Sequence, residues 1–208
     1  MNISRRLMIV GALGAMVVLS ACGATTFRTY YANPVTAEVA RTWRVVSVDV
    51  TVPRTLKVSE DRSTLPTADI VWREDPALGD RFDQVDVIMT NAVLQGAAGL
   101  RGPRPVRISI MMQRFHALTF EAETRFQNAG VHNIDFVAQV TDTNTGEVLA
   151  GPEVIDAAFP ALSGDQMLAA RAAGQTQKSM ITAHVGRTIA GWLGTGPDNR
   201  NTFSRAGN

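Results

Sequence analysis

From Trp43 to Val52 the chain reads WRVVSVDVTV, with Val46, Val48, Val50 and Val52 on one side and Ser47, Asp49 and Thr51 on the other. A two-residue period of this kind describes a strand with one face in a core. The period returns at Val106–Met112, where Val106, Ile108, Ile110 and Met112 share a face. It returns again at His132–Thr141, with Ile134, Phe136, Ala138 and Val140 together. Ala68–Arg73 (ADIVWR) is a shorter strand. DTNTGEV has the composition of a turn, so Glu147–Ala158 is expected to return as a hairpin partner that Pro160 closes. Two segments carry the other period. Phe82, Val85, Met89, Ala92, Val93, Gly96 and Leu100 recur at three- and four-residue spacing, predicting an amphipathic helix over Gly79–Leu100 that GLRGPRP breaks. A last helix is expected to open at Ser163-Gly164-Asp165-Gln166, which fits a capping box, and to run to Leu193. Its apolar anchors are Met167, Met180, Ile181, Val185, Ile189 and Trp192, with Gly194 and Pro197 as its stop. Leu118–Gln127 fits a helical turn or a strand equally.

Strand runs separated by two helices predict an α+β single domain: a mixed or antiparallel sheet of about five strands with two main helices on one face. Both helices carry small residues, Gly96 to Gly99 on the first and Ala169 to Gly174 on the last, and are expected to pack closely on each other or on the sheet. The globular part is assigned to residues 42–194. Residues 22–41 (from GATTFRTYYANP) lack a period and read as a flexible tether, with Phe27, Tyr30 and Tyr31 either at a membrane interface or packed on the domain. Residues 195–208 read as a disordered tail.

The chain holds one cysteine, Cys22, and it lies near the N-terminus. Arg5 and Arg6 are followed by an apolar run and then by small residues, the order of a secretory signal over residues 1–21. The uncharged stretch Leu7–Ala21 is 15 residues, short of the roughly 20 that a membrane span needs. Leu19-Ser20-Ala21-Cys22 resembles the lipobox of bacterial lipoproteins. That resemblance implies cleavage before Cys22, a diacylglyceryl group on its thiol and acylation (palmitate-type) of its new amino group. One acyl chain binds a membrane marginally and two make the anchor stable. Gly23 stands where an Asp favours inner-membrane retention among enteric lipoproteins, so the resemblance implies the outer membrane, with the domain facing the periplasm.

Removing residues 1–21 takes Arg5 and Arg6 from 20 basic residues and nothing from 19 acidic ones. The remainder is nearly neutral and has no basic patch, which argues against nucleic acid as a partner. His116, His132 and His184 fall on separate elements without metal-ligand spacing. His132 and Asp135, at odd spacing on a strand, face opposite ways. There is no Gly-x-Ser-x-Gly elbow and no phosphate loop. Asp75, Asp80, Asp83 and Asp86 gather at a helix start, where carboxylates complement the helix dipole; Phe82 and Val85 interrupt the oxygen ladder that calcium requires. No cofactor, no metal and no catalytic residue is expected.

Behind its tether, the chain resembles small α+β envelope lipoproteins of Gram-negative bacteria. These include auxiliary lipoproteins of ABC-type lipid transport systems and activators of peptidoglycan synthases. ADIVWREDP, followed by Asp80, Asp83 and Asp86, resembles a group of uncharacterised lipoproteins. The resemblance implies a non-enzymatic adaptor or accessory subunit of an envelope complex. It would be held to the membrane through the Cys22 lipid and would contact an envelope protein, with Lys57 and Arg62 in the loop Arg54–Leu65 as candidate contacts. The alternative is a carrier of lipid or a small apolar ligand serving an envelope transport system, with Met111, Met112, Met167 and Met180 as adaptable apolar groups.

Overall fold

The computed structural model describes residues 25–74 and 76–205. The elements run β1 (Thr26–Tyr30), α1 (Ala37–Ala40), β2 (Trp43–Thr51), β3 (Ile70–Val71), α2 (Arg81–Gly96), β4 (Arg104–His116), α3 (Phe120–Arg125), β5 (Val131–Asp142), β6 (Val148–Ala157), β7 (Phe159–Pro160), α4 (Asp165–Ala172), α5 (Gln177–Trp192) and β8 (Asn201–Ser204). This is an α+β domain with a mixed sheet. Its main path is β2-β4-β5-β6-β1-β8, with β3 added beside β4 and β7 beside β5. β2 and β3 run parallel to β4, and the remaining pairs are antiparallel.

The apolar periods become one core. Val106, Ile108, Ile110 and Met112 of β4 join Ile134, Phe136, Ala138 and Val140 of β5 beneath α2 and α5. The two helices press Val85, Met89, Val93, Val185, Ile189 and Trp192 onto that same sheet face. Their backbones approach at Gly96, where a Cβ would stand 2.4 Å from the carbonyl oxygen of Gly186. The expected packing of small residues is realised at Gly96 alone, against Gly186 of α5, whereas Ala169, Ala172, Ala173 and Gly174 are exposed on α4 and the turn after it.

Asp80 caps α2 by accepting from the amides of Phe82 and Asp83 at 2.8 and 3.3 Å. It also pairs with Arg54, so this carboxylate is held below its usual range chiefly by that hydrogen bond.

Four expectations are corrected. The segment read as a tether folds from residue 26 onward: β1 lies between β6 and β8, and Tyr31 is fully buried in the core. Phe27, Thr29 and Tyr31 turn inward while Arg28 and Tyr30 face out, a strand whose inner row contains a threonine and so escapes an apolar count. The tail read as disordered supplies β8, where Phe203 stacks on Phe27 at 5.8 Å. The last helix is two helices. The chain turns at Gly174, with φ of 79°, and the capping box is Thr176 with Ser179 rather than the Ser163 segment. Finally, a β-bulge between Val45 and Ser47 turns Val46 outward, so Val45 takes the core side with Val48 and Val50.

Candidate functional site

β4 leaves the sheet through His116-Ala117-Leu118-Thr119. Two polar side chains fix its direction. Gln177, at the start of α5, is buried and clamps Leu118: its Oε1 accepts from the Leu118 amide at 2.9 Å and its Nε2 donates to the Leu118 carbonyl at 3.3 Å. Thr119 accepts from the Ala122 amide at 3.0 Å, starting α3, and donates to the Ser63 carbonyl at 3.0 Å. The second bond ties the loop before β3 to α3. After α3, Asn128 adopts φ of 60°, a left-handed turn that asparagine tolerates well, and Gly130 leads into β5.

This geometry gathers Leu118, Ala122, Phe126 and Ala161 into a small apolar cluster apart from the main core. Between that cluster, the Thr64–Pro66 loop and the start of β1 lies a cleft of about 330 Å³. Its walls include Phe27, Leu65, Pro66, Leu118, Phe126 and Val131. Thr25, Thr64, His116, Asn133 and Arg205 supply the polar positions. Leu65 at the edge is 75% exposed, and Phe120 at the start of α3 is 69% exposed. A concave, mostly apolar site with a few polar groups suits an apolar ligand that carries a small polar end. His116 serves as wall. Its Nε2 donates to the Ala68 carbonyl at 2.6 Å, and burial lowers its pKa, keeping the ring neutral.

Behind the cleft, α4 is fastened by charge. Arg171 forks onto both oxygens of Glu123 at 3.0 Å each and also reaches Glu74. Gln177 donates to the same Glu123 at 2.7 Å. Burial raises the Glu123 pKa and Arg171 opposes that rise. The network holds α3, α4 and α5 together, with both Glu123 oxygens occupied by Arg171 and Gln177.

The sheet face away from α2 and α5 is the second candidate. Thr51, Met111, Val137 and Val154 stand in one cross-strand row. Met111 is 45% and Val154 54% exposed, and Val46 and Val148 are also exposed. Ion pairs border them: Arg114 with Asp135 at 2.9 Å, Arg107 with Asp49 at 3.0 Å, and Arg28 with Asp156. An apolar strip inside a charged margin has the layout of a contact surface.

Cys22 and the signal segment lie outside the described residues. Lys57 is exposed. Its backbone amide donates to Asp69 Oδ2 at 2.8 Å, and its carbonyl receives the amides of Asp69 and Ile70. Arg62 is 87% exposed at its side chain and lies 3.5 Å from Glu121. The four methionines do not converge: Met112 and Met167 are buried, Met111 is on the open sheet face, and Met180 borders a separate shallow cleft beside Phe159. No group of three or more potential metal ligands occurs among the described residues; Asp83 pairs with Arg54, and Asp86 accepts from Thr90 at 2.9 Å.

The histidines hold a feature that spacing does not reveal. His132 and His184 flank Phe159, with ring centroids 4.8 and 4.2 Å from it. Thr29 donates to the Ala158 carbonyl at 2.8 Å, so the 3.1 Å contact with His184 Nε2 places the proton on that nitrogen. Among the described residues, neither ring nitrogen of His132 has a partner. Burial drives His132 down to about 3 and His184 to about 4.

Solved structures similar to the chain include a PelC dodecamer from Paraburkholderia phytofirmans, at 12% identity and a TM-score of 0.35 over 81% of this chain and 95% of that one. They also include a candidate lipoprotein from Caulobacter crescentus, at 18% identity and a TM-score of 0.34 over 50% and 77%. A DUF330-family protein from Xanthomonas campestris matches at 17% identity and a TM-score of 0.37 over 76% and 92%. No curated protein matches the sequence. The profile of one family covers residues 43–208, which takes in everything from β2 onward, and the chain belongs to that family of unknown function, DUF6778.

Proposed function

We propose that this protein is a lipid-anchored accessory domain of the bacterial cell envelope. It faces the periplasm, with the outer membrane favoured, and docks a partner protein without catalysing a reaction. The observation that carries the reading is the sheet face away from α2 and α5, where Met111, Val137 and Val154 form an apolar row between ion pairs. Exposed apolar rows of this kind are costly to leave bare and are the usual core of a protein contact. The lipobox-like Leu19-Ser20-Ala21-Cys22 supports the anchor. The partner this face fits is a protein offering its own apolar residues, with charges placed to meet Arg28, Arg107 and Arg114.

A photoreactive residue at Val154 tests the reading in native membranes. One discrete adduct is expected, lost on Met111→Glu while the thermal midpoint stays unchanged. No adduct from the open face, with a normal adduct from Lys57 or Arg62, moves the contact to the Arg54–Leu65 loop; charge reversal at both must then abolish it. No adduct from either surface ends the adaptor reading. Cys22→Ala is expected to leave the protein unprocessed or soluble, and continued membrane residence overturns the anchor.

The carrier is the second reading, favoured by the apolar cleft beside α3. It no longer draws on the methionines, since none of the four lines that cleft. A lipid released from the denatured protein in stoichiometric amount supports it.

A further inference from the structure

We propose that the cleft between α3, the Thr64–Pro66 loop and the start of β1 holds one of the fatty acyl chains carried by Cys22. The proposal rests on the lipid anchor of the preceding reading and says where part of that lipid goes.

Three observations carry it. First, Thr25 is itself part of the cleft's lining, and Cys22 is three positions before it in the chain. Three residues span at most about 11 Å, so a lipid on Cys22 is tethered within that reach of a lining residue. A ligand tethered this closely competes at an effective concentration on the order of millimolar without forming any other contact. Second, the cleft matches a single alkyl chain in character. Phe27, Leu65, Leu118, Phe126, Ala129 and Val131 offer apolar walls, and a volume of about 330 Å³ is at the small end of ligand pockets, roughly 300–1,000 Å³. Third, Arg205 is among the lining residues and brings a permanent donor to a mostly apolar site. It is held there by its bond to the Asn128 carbonyl, and the ester or amide carbonyl that joins an acyl chain to Cys22 is an acceptor that suits it.

The energetics permit the arrangement. Full processing gives Cys22 three acyl chains, and two suffice for stable anchoring. Moving the third from bilayer to cleft exchanges one apolar environment for another, so the transfer itself costs little. The consequence is orientation. With one chain in the cleft and two in the bilayer, the Thr25 end of the domain sits against the membrane, with the exposed Leu65 and Phe120 beside it. The occupant is therefore the protein's own lipid and not a diffusing ligand.

The test uses the full chain made in a bacterium that processes lipoproteins and is fed a diazirine-bearing palmitate. Membranes are irradiated, and the adducts are mapped by mass spectrometry. The expected result is a Cys22-linked label bonded to the cleft wall, around Leu65, Leu118 and Phe126. Ala129→Trp, which fills the cleft, removes that adduct and leaves the Cys22 lipid mass intact. Leu65→Asp, a change at an exposed position, does the same with an unchanged thermal midpoint, which separates loss of the site from loss of the fold. A labelled Cys22 whose adducts fall on bilayer phospholipid alone overturns the proposal while the anchor stands. The same cleft adduct in Cys22→Ala assigns the site to a diffusing lipid and overturns it in favour of the carrier. An N-terminal peptide without lipid mass removes the anchor and the proposal together.

Discussion

The two apolar clusters of this domain are built by opposite means. Beneath α2 and α5, the core is a continuous field of Val, Ile, Met, Phe and Trp with few polar atoms. Beside α3, the cluster has four buried members and is held in place by Gln177, Thr119 and the Glu123–Arg171 fork. The first is stabilised by area removed from water, which is non-directional. The second depends on hydrogen bonds of definite length and angle, and such bonds fix geometry better than they add stability. A cleft that must stay open beside a packed core is served by the second kind of construction. Collapse would fill the cavity if nothing directional held Leu118 and the Thr64–Pro66 loop apart.

The largest expected effect falls on the first cluster. Phe136 is fully buried at the centre of β5, and Phe136→Ala is expected to cost about 3–5 kcal/mol, read as a lower denaturation midpoint in urea. Gly96→Val tests the same cluster at the helix contact, because its Cβ would meet the Gly186 carbonyl at 2.4 Å. A midpoint unchanged by either would show that α2 and α5 do not bear on this sheet face.

Acid is expected to act next. His132 and His184 are buried as neutral rings, so their pKa values are about 3 and 4 in the fold, against about 6.5 in the unfolded chain. The unfolded state therefore binds more protons as pH falls below 6.5, and stability drops in that direction. From pH 7 to pH 5 the loss is about 2 kcal/mol for the fully buried His132 and somewhat less for His184. Glu123 and Asp135, whose pKa values burial raises, titrate against this trend. The comparison is therefore made with variants. His132→Phe is expected to flatten the pH dependence and to leave neutral-pH stability equal or higher, since neither nitrogen of His132 has a partner among the described residues. A slope that persists in His132→Phe combined with His184→Gln would place the acid sensitivity elsewhere.

On the second cluster, Gln177→Ala leaves the Leu118 amide and carbonyl without their partner and takes one of two donors from Glu123 Oε2, which keeps Arg171. The expected cost is about 1–3 kcal/mol. A distinguishing sign accompanies it: apolar dyes that enter the cleft should lose their site even where the domain remains folded. Phe136→Ala at a temperature below its transition should retain the site. If the two variants lose dye binding in parallel with stability, the clusters are one unit and the contrast fails.

How far the sequence reveals these regions follows from their construction. The large core was legible because its strands and helices keep an unbroken period; β4, β5, β6 and α2 stand close to where Val106, Ile134, Glu147 and Phe82 locate them. The two strands at the β8 end of the sheet were hidden because pairing more than an apolar period makes them. β8 contributes one stacked ring, Phe203, and β1 presents Thr29 to the interior. The cleft was hidden for a related reason. Its walls come from β1, the pre-β3 loop, the segments either side of α3 and β5, and the bonds that assemble it join residues as distant as Leu118 and Gln177. The ambiguous period over Leu118–Gln127 was its one local trace, a stretch that is neither core strand nor core helix because it turns from sheet to α3. The open-face row, by contrast, was half visible: the polar side of each strand was plain, but Met111 and Val154 gain meaning only once register aligns them.

The smallest expected effect completes the contrast, and it concerns that row. Val154 is 54% exposed and Met111 is 45% exposed, so about half of each is already in water in the folded domain. Surface substitutions of this kind change stability by about 0.5 kcal/mol or less. Val154→Thr keeps the β-branched shape that suits a strand and removes one apolar contact. Its denaturation midpoint is therefore expected to match that of the parent within error. Recovery of the envelope partner crosslinked at Met111 should nonetheless fall, because the cost of losing an apolar contact is felt where the face is covered. A residue that is silent in the isolated domain and costly in the membrane is the signature of a contact surface. Equal effects in both settings would mean that Val154 supports its own sheet and nothing beyond it.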